Sequence, residues 1–80
     1  MSAAEAQEVK NLLLRSNDQY RQLSERHHQL DDQLSQLTQL PYLTASEQVE
    51  EVTLKKRKLA LKDQMEHMAL EYAKTHLRAS

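Results

Sequence analysis

Leu40-Pro41-Tyr42-Leu43-Thr44-Ala45-Ser46-Glu47 holds the one proline of an 80-residue chain that contains no glycine and no cysteine. Pro41 has no N–H to donate and disfavours helical geometry at Leu40, so a helix arriving from the N-terminal side stops there. Three residues later, Thr44-x-x-Glu47 has the form of a capping box, in which hydroxyl and carboxylate each satisfy a free backbone N–H at a new helix start. Nothing else in the chain interrupts a helix as a proline does. The stretch therefore predicts two long helices folded back on each other, an all-α antiparallel hairpin. The first spans about 3–40, the turn about 41–44, and the second about 45–77, all in one unit.

The periodicity on either side agrees. Ser2-x-x-Glu5 is a second capping box, and from it runs the stripe Ala6, Val9, Leu13, Ser16, Tyr20, Leu23, His27, Leu30, Leu34, Leu37. Its steps alternate three and four, the pattern of a coiled-coil seam. The second helix differs. Leu54, Leu61, Met65, Met68 and Tyr72 share one arc, whereas Val49, Val52, Leu59, Leu70 and Leu77 occupy another, nearly opposite. Pairing residues whose numbers add to roughly 85, as an antiparallel turn here requires, sets the first arc against helix one. It puts Tyr20 beside Met65 and Leu13 beside Tyr72. The second arc has no partner within the chain. A lone hairpin of this size is marginal, so the reading predicts a homodimer in a four-helix arrangement through Val52, Leu59, Leu70 and Leu77, with a site for an unidentified partner protein as the alternative use of that arc.

Composition narrows the function classes. A net charge of −1 gives no global attraction to nucleic acid or anionic membrane. The longest apolar run, Leu12-Leu13-Leu14, falls far short of the ~20 residues that span a bilayer. The N-terminus lacks the basic and apolar regions of a signal peptide. A chain without cysteine fits a reducing compartment, so a cytoplasmic location is expected.

Tyr20-x-x-Leu23-x-x-x-His27-x-x-Leu30-Asp31-x-x-Leu34 and Lys55-Lys56-Arg57-Lys58-Leu59-Ala60-Leu61-Lys62-Asp63-Gln64-Met65 resemble the YdcH-like family of small bacterial proteins. The order of charges in the second segment is the more specific of the two. The resemblance spans residues 20–65; residues 1–19 and 66–80 carry no matching motif. It implies a helical hairpin in a bacterial cytoplasm and no activity, since the family has no assigned function.

Three side-chain groups are candidates for chemistry. Lys55, Lys58 and Lys62 share a face and suit phosphates, of nucleic acid or of an acidic partner. Their solvated or register-setting alternative pairs Lys55 with Glu51 on the same helix and with Asp31 and Asp32 across the hairpin. His27 and Asp31, at i,i+4, present two metal ligands where a closed site needs more; as a polar seam residue, His27 would instead specify register. Met65, Met68 and Tyr72 form either core or an adaptable groove. Catalysis is not expected, because two packed helices leave no cavity of the ~300 Å³ that a small-molecule site occupies. No cofactor or metal is predicted. The expected role is a protein–protein interaction or adaptor protein, not an enzyme. Weak nucleic-acid binding and a co-chaperone masking a partner helix are the alternatives.

Overall fold

The computed structural model describes residues 2–76. Three helices follow in order: α1 (Ala3–Ser16), α2 (Asp18–Thr38) and α3 (Ala45–His76). The chain is all-α, but the first helix expected over 3–40 is two helices, and Asn17 divides them.

Asn17 has extended backbone angles, φ −126° and ψ 111°. Its N–H donates to the Leu13 carbonyl at 2.9 Å and closes α1. Its side-chain oxygen accepts from the Tyr20 N–H at 2.9 Å and opens α2. One asparagine thus serves both ends, because its short amide competes with the backbone for local hydrogen bonds. The neighbours reinforce the break. Ser16 Oγ donates back to the Leu12 carbonyl at 2.7 Å, and Asp18 places a negative charge in the first turn of α2 and pairs with Arg21.

Both capping boxes form. Glu5 N–H donates to Ser2 Oγ and Ser2 N–H to Glu5 Oε1. At the other, Glu47 N–H donates to Thr44 Oγ1 at 3.1 Å and Thr44 N–H to Glu47 Oε1 at 2.9 Å. Pro41 lies in the connection, where α2 unwinds through Gln39 and Leu40, whose N–H groups donate to Ser35 and Leu37.

α2 and α3 pack antiparallel, and two clusters form the core. Leu34, Leu37 and Leu54 are buried beside the turn, with Leu30 and Leu43 against them. At the far end Val9, Leu13, Tyr20 and Ala69 are buried, with Met65, Met68, Tyr72 and Ala73 packed around them. The methionines and Tyr72 are therefore core. Most of the heptad stripe is buried as its period requires; Ser16 is exposed, at the break, and His27 is half-buried.

The third helix changes the far end. The pairing rule of about 85 places residue 75 opposite Lys10, yet Lys10 Nζ meets Glu66 Oε1 at 3.1 Å. α1 turns at Asn17 and lies back over the α2–α3 pair instead of running on beside it. Accordingly, Lys10 and Tyr20 line one groove, although ten residues of straight helix would set them ~15 Å apart along the axis. Val9 and Leu13 fall to 1% and 4% exposure there, each contributing about 1.5–3 kcal/mol of burial. Part of the stabilisation that the sequence assigned to association comes from the chain itself.

Candidate interaction surface on the third helix

α3 carries apolar side chains on two sides. Leu54 and Ala69 are buried, and Leu61, Met65, Met68 and Tyr72 are half-buried on the inner side. On the outer side Val49, Val52, Leu59 and Leu70 are 68%, 50%, 58% and 47% exposed. These values decide the matter: no part of α1 or α2 covers that arc. Leu77, the fourth predicted member, lies outside the described residues. The arc is not continuous, since Lys62, Asp63 and Glu66 intervene between Leu59 and Leu70. Near the turn, Ala45, Val49 and Val52 border a shallow depression with Gln48, Thr53 and Lys56.

The basic run is divided among directions. Lys58 Nζ donates to Asp31 Oδ1 at 2.5 Å across the α2–α3 pair. Lys55 makes the expected pair with Glu51 of its own helix at 3.6 Å, but not the expected one with Asp31. The difference is close to one helical turn and arises because pairing near the turn adds to a few residues more than 85. The Lys58 hydrogen bond and charge, with smaller help from His27 and His28, hold the Asp31 carboxyl below the usual carboxylate range. Lys62 makes no ion pair among the described residues.

Open grooves flank the pair, three of them above the ~300 Å³ of a small-molecule site. The reading from two packed helices left out α1, which with the half-buried middle of the seam makes these clefts. One, of about 320 Å³, gathers Lys10, Lys58, Lys62, His27, Tyr20 and Glu66. Tyr20, 1% exposed, has its hydroxyl pKa raised by burial, with Lys10 opposing and Glu66 adding to the shift. The other, of about 340 Å³ on a different side, has a floor of Leu30, Ala60 and Leu61 between Arg26 and Arg57. A third, of about 550 Å³, continues from it past Leu23 and Met68.

His27 does not complete a metal centre. Its neighbour Asp31 is engaged by Lys58, and among the described residues no three His, Asp or Glu side chains are placed to hold one ion. His76 stacks on Tyr72 with ring centres 4.0 Å apart. Among the described residues no helix is long and apolar enough to cross a membrane. The Lys10–Glu66 contact and the enclosure of Tyr20 escaped the sequence reading, which ran one helix through Asn17. The signal was Ser16-Asn17-Asp18, a helix-start triplet inside the stripe.

Residues 21–69 match the protein family described as Protein of unknown function (DUF465). The match covers most of α2 and α3 and leaves α1 outside it. Neither the curated proteins nor the solved structures contain a match to this chain.

Proposed function

The chain belongs to the DUF465 family, the YdcH-like proteins, and from that premise we propose that it is a small non-enzymatic protein–protein interaction protein. It acts as a homodimer whose contact is the outer arc of α3, and the dimer presents its remaining surface to a partner in the bacterial cytoplasm. The observation that carries this reading is the exposure of Val52, Leu59 and Leu70 on a helix whose opposite side is already packed. Apolar side chains aligned in this way on a small chain mark a contact surface. The basic face supports the reading less as a phosphate site than as register: Lys58 and Lys55 already have carboxylate partners, and nucleic acid would have to displace them.

Sedimentation at low micromolar concentration tests it on the wild type and on Leu59→Glu. A wild-type dimer that the substitution converts to a monomer is the expected result. A wild-type monomer, or a dimer indifferent to Leu59→Glu, overturns the assignment of this arc as the self-interface.

A further inference from the structure

The exposed side of α3 holds a second heptad. Val49, Val52, Lys56 and Leu59 follow at steps of three, four and three, and Asp63, Glu66 and Leu70 continue it without a slip to the half-buried Ala73, which also packs against the α1 cluster. At 100° per residue the eight positions stay within an arc of about 120°. The outer arc is therefore a full seam whose middle is charged. Lys56 and Asp63 make no ion pair among the described residues. Glu66 meets Lys10 through Oε1, and its side chain remains 52% exposed.

The charges choose the partner's direction. Two copies of α3 set side by side in parallel would place Lys56 on Lys56, Asp63 on Asp63 and Glu66 on Glu66. Every polar layer would then join like charges, which is disfavoured. Antiparallel copies can slide by heptads, and the alternatives differ sharply. In one register Val49 faces Ala73, Val52 faces Leu70 and Lys56 faces Glu66, each pairing occurring twice about a two-fold axis at the level of Leu61. Slid one heptad one way, Asp63 meets Glu66. Slid the other way, Val49 meets Glu66, Lys56 meets Leu59 and Asp63 meets Val52.

We infer that the dimer, on the reading proposed above, is an antiparallel pairing of two α3 helices about Leu61, locked by reciprocal Lys56–Glu66 ion pairs. The occupant of the outer seam is a second copy of this chain. α2 lies on the opposite side of α3, so the dimer is a layer ordered α2, α3, α3, α2 and not a square bundle. One mismatch remains: Asp63 faces the partner's Leu59 in two layers. A polar residue at such a position lowers stability while limiting the registers available.

The chain has no cysteine, so single spin labels can be placed at will. Thr53→Cys, Ala60→Cys and His67→Cys, all exposed and beside the seam, are labelled in the full-length protein and their intermolecular distances measured. At a rise of ~1.5 Å per residue, the axial offset is ~3 Å for residue 60, ~24 Å for residue 53 and ~18 Å for residue 67. A minimum at Ala60→Cys is expected. Equal distances, or a minimum at either other position, overturn the antiparallel register in a protein whose mass is still dimeric. A monomeric mass for the wild type defeats the homodimer reading itself. Asp63→Leu supplies the second measurement: the register predicts dimer dissociation weakened about tenfold or more, because two Leu–Leu layers replace two mismatches. An unchanged or looser dimer overturns it.

Discussion

Asn17 shows how much one side chain redirects. Its amide caps α2 through Tyr20, and its extended backbone lets α1 turn. Asn17→Ala removes the cap and favours fusion of the two helices; we expect a loss of about 1 kcal/mol in denaturant unfolding. The Tyr20 amide should exchange faster as well. Asp31 is the second informative residue. Its carboxyl titrates below the usual range because Lys58 donates to it. The folded value lies below the unfolded one, so the contribution is present above the ordinary carboxylate pKa and is lost as pH falls through the folded value. In Lys58→Ala the NMR titration of Asp31 should move up toward the ordinary carboxylate pKa. The residue scale was only partly legible in the sequence. Lys58 and Asp31 were both candidates, but pairing them requires knowing the α2–α3 register to within one turn.

Capping boxes were legible at the scale of the element, because they are local: four residues contain both reciprocal hydrogen bonds. The break at Asn17 was not, and the reason is specific. The heptad passes from Leu13 through Ser16 to Tyr20 in steps of three and four, as an unbroken helix would. Periodicity reports which side is apolar and is blind to a change of axis. The same side chains are buried either way, Val9 and Leu13 beneath α1 and Tyr20 beneath α2. The importance of α1 can be measured directly. Leu13→Ala should cost about 2–5 kcal/mol, since a buried leucine is replaced by a cavity. Leu59→Ala should change the unfolding of an isolated subunit by less than about 0.5 kcal/mol, since its side chain is exposed there. Equal losses in both under dissociating conditions would contradict the assignment of inner and outer sides.

For the whole molecule, the question is how a narrow three-helix chain stays folded and what it leaves uncovered. The core is divided: one cluster beside the turn, one beneath α1, with half-buried His27, Leu30 and Leu61 between. α1 reinforces one end only, and the outer seam of α3 is exposed from Val49 to Leu70, with Glu66 touching Lys10 of α1. If that seam joins two copies, screening should have a modest effect, since the contact rests on Val52, Leu59 and Leu70 with only two reciprocal ion pairs. We expect dimer affinity to fall no more than about threefold between 50 and 300 mM salt. A fall of several powers of ten would instead point to contacts with many phosphates.

The sequence by itself determined the all-α class, the position of the turn, both capped helix starts and the two-sided character of α3. Each follows from a local rule or from a period along one helix. Only the tertiary structure decided that α1 folds back, that Lys10 finds Glu66 and that Lys58 rather than Lys55 takes Asp31. Those outcomes depend on where one helix axis lies relative to another. A small change in direction at Asn17 moves side chains a dozen residues away, and a shift of one turn changes which lysine meets a carboxylate.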